Sequence, residues 1–381
     1  MEIYLNNAAS AWPRAPGVID AVREGLDRPL SDASRGGRGG DPVGECRQRI
    51  ARLLGVDHPE RIALTVNGTF ALNFAIQGLR LSPGSTVVTS VTEHNSVLRP
   101  IHHLMRDRGI RRVLIGLDAE GTLDRDAFAR ALQQKPRLVV LNHASNVTGR
   151  IQAVAPLFQQ AREAGAYTLL DASQTLGHVP VHPEVMAADL VAFTGHKGLH
   201  GPPGTGGLYV SPRLELEPTI VGGTGIRSDL ELHPPEMPIR LEAGTPNAPA
   251  LRGLAAALRW VEERPAEHRV QASSMERRLR EGLRDSPGVH IFEDADGAER
   301  VGVISFRVEH WDVADVGFIL EESFGITCRT GLHCAPLIHE TLGSLPEGTI
   351  RFSVSGFTRA EEIDAAVAAI RQLAHMERQA A

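Results

Sequence analysis

Between about residues 60 and 210, short apolar, β-branched runs alternate with longer stretches whose apolar residues recur every three or four positions. The short runs are "RIALTV", "STVVTSV", "RRVLIG", "RLVVLNHAS", "YTLLDAS", "DLVAFTG" and "GGLYV". In the first longer stretch, Leu72, Ala75, Ile76 and Leu79 fall at i, i+3, i+4 and i+7, the stripe of a helix lying on a sheet. This alternation predicts an α/β fold: a doubly wound, largely parallel sheet covered on both faces, with a ligand bound at the carboxyl ends of its strands.

The pattern loosens over "IVGGTGIRSDLELHPPEMPIRLEAGTPNAPAL", which reads as loop and boundary. Residues 250–284 regain a helical period, "VHIFED" and "VGVISFRVEH" alternate like strands, and "DVADVGFILEESFG" is helical again. For the last helix, Thr358 and Glu361 make a capping box, and Ile363, Ala366, Val367 and Ile370 an apolar stripe. The expected division is residues 1–15 as an N-terminal segment packing with the small domain, 16–249 as a large domain, and 250–381 as a smaller α+β domain.

Composition narrows the function classes. A chain of 381 residues with 42% hydrophobic content can bury a large core, and its net charge of -6 offers no basic surplus to a nucleic acid or an anionic membrane. There is no leader pattern and no apolar run long enough to span a bilayer, so the expected compartment is cytoplasmic. Cys46, Cys328 and Cys334 are odd in number and widely scattered, which argues against a disulfide framework.

Candidate chemistry gathers at strand ends. "DLVAFTGHKGLHGPPGTGG" delivers Thr194, His196 and Lys197 into a Gly- and Pro-rich loop. Lys197 is either a strand-end lysine snorkelling to water or an amine held to condense with an aldehyde. Asp171, ending "YTLLD", reads as a helix N-cap or as the acidic partner of a pyridine nitrogen. The Asn67-Gly68-Thr69 turn before a helix offers free N–H groups to a phosphate, a weak signal by itself. His94 and His143 end two further strand-like runs. For Cys334 in "RTGLHCAPLIHETLG", a nucleophile, a metal ligand and an ordinary buried residue are the alternatives; no zinc-site spacing accompanies it.

Taken in order, "YLNNAASA", "NGT", "EHNS", "SNVTG", "DASQ", "TGHK", "RTGLHCAP" and "IRFS" resemble the class V aminotransferases, fold-type I pyridoxal-phosphate enzymes, and within them the cysteine desulfurases. The resemblance covers nearly the whole chain. It implies a mostly parallel seven-stranded-type sheet in the large domain, pyridoxal 5'-phosphate as cofactor, and a homodimer. Lys197 would join the cofactor aldehyde, Asp171 pair with the ring nitrogen, Gln174 approach the phenolic oxygen and His94 stack on the ring. Thr69, Thr194 and His196 would hold the phosphate, Gly68 allowing close approach and Thr224 reaching in from a second subunit. Asn146 and Arg351 would grip a substrate carboxylate, with Arg329 also on the substrate side. Cys334 would take sulfur from L-cysteine as a persulfide, leaving L-alanine, and pass it to an acceptor, which could be a protein; Arg329 and His333 could raise its thiolate fraction.

"RTGLHCAP" is closer to the Suf-type pattern than to the Isc-type one, but Leu332 stands where that pattern has a histidine, and "FSVSGF" replaces the usual aromatic-asparagine pair after Arg351. Those departures leave room for another class V reaction on a small amino acid: selenocysteine lyase, carbon-sulfur lyase, epimerase or aminotransferase. A non-catalytic scaffold is the reading from a different class.

Overall fold

A computed structural model describes residues 2–27, 41–263, 265–292 and 297–380. Each of the seven apolar runs forms a strand: β2 (Ile62–Thr65), β3 (Thr86–Ser90), β4 (Arg111–Ile115), β5 (Leu138–Asn142), β6 (Tyr167–Asp171), β7 (Leu190–Thr194) and β8 (Gly206–Val210), after a short β1 (Ile3–Tyr4). They lie in one sheet in the order β2-β8-β7-β6-β5-β3-β4. The inner pairs are parallel and only β8 runs antiparallel to its neighbours β2 and β7. β3, β5, β7 and β8 are buried at every position, and β6 at all but Tyr167, which is why they read as continuous apolar runs rather than alternating ones.

The helices α1 (Val18–Leu26), α2 (Pro42–Leu54), α3 (Gly68–Gly78), α4 (Asn95–Arg108), α5 (Arg125–Leu132), α6 (Val154–Glu163) and α7 (Ala248–Glu263) belong to this part of the chain. One face of the sheet packs on α3 and α4 through Leu72, Ile76, Val97 and Ile101. The other packs on α2, α5, α6 and α7 around Phe128, Phe158 and Phe193. The division expected at residue 250 differs from this arrangement. Leu251, Leu254 and Leu258 of α7 sit in the first core, whereas Met275, Leu279 and Leu283 of α8 (Pro265–Arg284) sit in the second. The core therefore changes between α7 and α8, a step invisible in sequence because both helices carry the same period.

The second core surrounds a four-stranded antiparallel sheet, β12-β13-β10-β9, built from β9 (Val289–Ile291), β10 (Val303–Val308), β12 (Arg329–Gly331) and β13 (Thr349–Ser353). Packed with it are α9 (Val313–Phe324) and α11 (Ala360–Ala380); β11 (Ile326–Thr327) precedes β12, and α10 (Pro336–Thr341) follows it. β1 pairs with β11, and Leu5, fully buried, enters the same core. The expected capping box does not form. The Thr358 hydroxyl is taken by the Ser355 N–H at 3.0 Å, and Glu362, not Glu361, reaches back to the Arg359 N–H at 2.8 Å. Among the described residues, no helix is long and apolar enough to cross a membrane.

Leu5→Ala leaves a void where the N-terminal segment enters the second core. The expected cost is about 2–5 kcal/mol, read as a lowered thermal midpoint; an unchanged midpoint would mean that the segment is not anchored by this side chain.

Candidate active site

The carboxyl ends of β5, β6 and β7 open into a cavity of about 210 Å³. Asp171 comes from the end of β6, Asn142 from β5 and Thr194 from β7, with His196 and Lys197 two and three residues beyond. Gly68 and Thr69 enter at the first turn of α3, whose N-cap Asn67 accepts from the Phe70 N–H. His94 caps α4, and Arg329 and Arg351 arrive from β12 and β13 of the second sheet. Most of the residues singled out from sequence line this one space: Gly68, Thr69, His94, Asn146, Asp171, Gln174, Thr194, His196, Lys197, Arg329 and Arg351.

The electrostatics follow from burial. Loss of water pushes the Lys197 ammonium down to about 8; Asp171 opposes the shift, while Arg351 and Arg329 reinforce it. About a tenth of the amine is then free at pH 7, far more than for an ordinary lysine. Burial, reinforced by Lys197, pushes His94 down to about 4. Its Nδ1 accepts from the Ser96 N–H at 3.0 Å, so the neutral ring carries its proton on Nε2. Burial likewise holds His196 at about 4. Arg351 is only 1% exposed, and burial followed by Arg329 pushes it down to about 9. It donates to the Asn146 carbonyl at 2.9 Å and to Asn6 Oδ1 at 3.3 Å, and its buried Nε has no partner among the described residues. A guanidinium in that state is a site for an anion.

Cys334 lies just outside the cavity lining. Arg329 Nη2 donates to its sulfur at 3.1 Å, and its charge acts on both Lys197 and Arg351. The neighbouring His333 does not supply the positive charge expected of it. Its ring turns away to Thr349 at 2.8 Å, and burial, with Arg351 beside it, holds it well below its ordinary pKa and therefore neutral. Thr224 is also apart: its hydroxyl bonds the Ile226 carbonyl at 2.7 Å and it lines a second cavity of about 420 Å³. Asp171 spends one oxygen on the Ser173 N–H at 2.9 Å, a turn cap rather than a helix cap, and still faces the first cavity.

Ser96, Asn142, Ser173, Ala8 and Ala9 line the cavity without having been singled out. Ser173 and the alanines stand in the quoted "DASQ" and "NNAASA", but nothing in their residue type marked them. Arg14 was missed too; it donates to the His196 and Gly201 carbonyls at 3.2 and 3.1 Å and so clamps the Lys197 loop.

The Aminotransferase class-V family profile matches residues 3–366. The chain belongs to that family. It is 32% identical to a probable cysteine desulfurase of Methanothermobacter thermautotrophicus, over 98% of this chain and 95% of the relative. It is 30% identical to a cysteine desulfurase of Pectobacterium atrosepticum, over 97% and 92%. Among solved structures, the apo cysteine desulfurase of Thermococcus onnurineus aligns with a TM-score of 0.88 at 30% identity, covering 98% of this chain and 95% of that one. The Escherichia coli cysteine desulfurase CsdA, in an S-sulfonic acid form, aligns at 0.87 and 27% identity with the same coverage.

Class V aminotransferases use pyridoxal phosphate, and the cavity fits it. A Cβ at Gly68 would meet Ser173 Oγ at 2.8 Å, so glycine lets the first turn of α3 close on Ser173 at the cavity wall, with the N–H groups of that turn beside the space. One amine and one carboxylate share the space with an excess of positive charge, which suits an aldehyde, a ring nitrogen and a phosphate.

Adduct formation between the cofactor-free chain and pyridoxal phosphate needs the free amine, so its rate should rise through about pH 8 rather than near 10.5. Asp171→Asn removes the larger of the two charges that raise the Lys197 value and should move the midpoint down. Arg351→Gln removes one that lowers it and should move the midpoint up. Absorbance stopped-flow reads both, and a midpoint indifferent to either change contradicts the assignment. Cys46 and Cys328, pushed by burial to about 12, should resist iodoacetamide at neutral pH while Cys334 is modified, as peptide mass spectrometry would report.

Proposed function

We propose that the chain is a pyridoxal-phosphate-dependent cysteine desulfurase, converting L-cysteine to L-alanine with sulfur taken up by Cys334. The observation that carries the reading is a thiol bonded to a cavity arginine beside an amine and a buried guanidinium with an open N–H.

When bound, the cofactor supplies an electron-withdrawing cationic ring for the amino group of the substrate. Lys197, Asp171, Gln174 and His94 are the residues to hold its aldehyde, ring nitrogen, phenolic oxygen and ring face. Gly68, Thr69, Thr194 and His196 are those for its phosphate. Arg351 takes the substrate carboxylate through its open Nε–H, orienting Cα toward Lys197. The Lys197 amine removes the α-proton and returns a proton to carbon, a task suited to a group whose value lies near the working pH. The Cys334 thiolate attacks the substrate sulfur: the S–S bond forms as the Cβ–S bond breaks, and the carbon gains a proton to become the alanine methyl. Atoms and electrons balance without an external oxidant, because the thiol of Cys334 and L-cysteine together give a persulfide and L-alanine. Sulfur then leaves to an acceptor.

The proposed homodimer is supported by apolar side chains around the second cavity. Val66, Phe70 and Ile220 are 46%, 41% and 45% exposed there. Val66 and Phe70 flank the Asn67-Gly68-Thr69 turn, so a partner covering them would stand beside the phosphate residues, where Thr224 of that copy could reach. The Suf-type assignment rests on "RTGLHCAP" alone.

Cys334→Ala should retain the cofactor absorbance and lose at least about 99% of alanine production from L-cysteine, as expected on removal of a covalent nucleophile. Product analysis with L-cysteine, L-selenocysteine and other small amino acids separates this reading from a lyase, epimerase or aminotransferase. Alanine and sulfide at the wild-type rate from the variant would end the persulfide role.

A further inference from the structure

The backbone that presents the nucleophile lies in the left-handed region at two successive non-glycine residues, His333 at φ 49° and Cys334 at φ 61°. A residue with a Cβ avoids this region unless its surroundings hold it there. Three carbonyls of the loop are held separately. Leu332 O accepts from Ala335 N at 2.9 Å, a bond within the loop, and Cys334 O accepts from Asn95 N at 2.7 Å, at the start of α4. The middle one, His333 O, accepts from Asn146 Nδ2 at 2.7 Å. Of the three donors, only this one is a side chain, and Asn146 lines the active-site cavity.

The amide orientation is fixed by chemistry, since a carbonyl oxygen can only accept and must face the NH₂ end. The other end, Asn146 Oδ1, is buried and has no partner among the described residues; an oxygen there cannot grip a carboxylate. The main-chain carbonyl of the same residue accepts from Arg351 Nη1 at 2.9 Å. Asn146 thus joins the guanidinium offered to the substrate carboxylate with the backbone that carries the thiol.

We propose that Asn146 is a positioning residue for Cys334, holding the strained loop through His333 O so that the sulfur meets a substrate anchored on Arg351. The proposal rests on the reading in which Cys334 takes up sulfur, and it gives Asn146 a task other than binding the carboxylate. Asn146→Ala keeps the main-chain carbonyl, so the Arg351 bond survives and only the tie to the loop is lost.

The test uses the holoenzyme in four forms: wild type, Asn146→Ala, Cys334→Ala and the double variant. Steady-state alanine formation gives kcat and KM for L-cysteine, and absorbance titration in the Cys334→Ala background gives the affinity for L-cysteine without turnover. Asn146→Ala should lower kcat at least tenfold with KM within threefold of wild type. The double variant should bind L-cysteine within threefold of Cys334→Ala alone. A tenfold loss of affinity in the double variant overturns the proposal in favour of substrate binding, and an unchanged kcat in Asn146→Ala overturns it outright. If the alanine variant fails to fold, Asn146→Leu, which keeps the volume and lacks the donor without adding a charge, serves the same comparison. Wild-type alanine production by Cys334→Ala would sink the parent reading, and this proposal with it, and is read in a different variant from either result.

Discussion

Burying the guanidinium of Arg351 with no carboxylate beside it is the constraint on which the rest of the site depends. Among the described residues its hydrogen bonds go to a main-chain carbonyl and an asparagine oxygen, and it stands opposite a second arginine, Arg329, across the β12–β13 pair. Like charges facing across a sheet destabilise each other, and a desolvated cation without a counter-ion is costly. The same imbalance reaches Lys197, whose ammonium is disfavoured by both arginines and favoured by Asp171. Asp171 is the only carboxylate among the described residues that line the cavity, so its side chains alone leave it short of negative charge. A phosphate and a carboxylate are what such a pocket lacks, which connects its cost in stability to its choice of ligands.

Two cores have to be registered for this to work, since Lys197 and Asp171 belong to the parallel sheet and Arg329, Arg351 and Cys334 to the antiparallel one. The N-terminal segment performs much of that registration. Its first residues add β1 to β11, and Asn7 Nδ2 donates to the Ser353 carbonyl at 2.9 Å. A few residues later Ala11 N and Arg14 both bond the His196 carbonyl, and Gln174 Nε2 bonds Ala8 O at 3.2 Å. One short piece of chain is therefore stitched to the end of β13 and to the loop that carries Lys197. A displacement of either core strains the same set of bonds.

The large sheet was legible because fully buried strands leave unbroken apolar runs, and its polar strand ends were legible because they follow those runs directly. The α7–α8 step was not, because periodicity reports which face of an element is apolar but not which surface receives it. His333 shows a different limit. Beside a cysteine it reads as a source of positive charge, yet the fold turns its ring into a dry space with Thr349 and His339, where an imidazole stays neutral. The capping box failed on competition: the Thr358 hydroxyl has a nearer N–H to serve in the Ser355 turn, so Glu362 closes the helix from the other side.

Glu93 shows how burial can keep a second acid from cancelling the site's charge. It is fully buried next to His94, one oxygen accepting from Ser90 Oγ at 2.7 Å and from Asn142 N at 3.0 Å, the other without a partner. Burial pushes its carboxyl up to about 8, with the charge on Asp171 acting in the same direction, so at neutral pH Glu93 holds its proton. A neutral acid in that position supports the strand ends as a hydrogen-bonding group and adds no charge to the cavity. Had it been ionised, its charge would have offset the arginines and raised the Lys197 ammonium back toward its ordinary value, lowering the fraction of free amine. The difference between two carboxyls a few residues from the same cavity lies in what they touch: Asp171 faces Lys197 and the open space, whereas Glu93 meets only neutral donors in a dry interior.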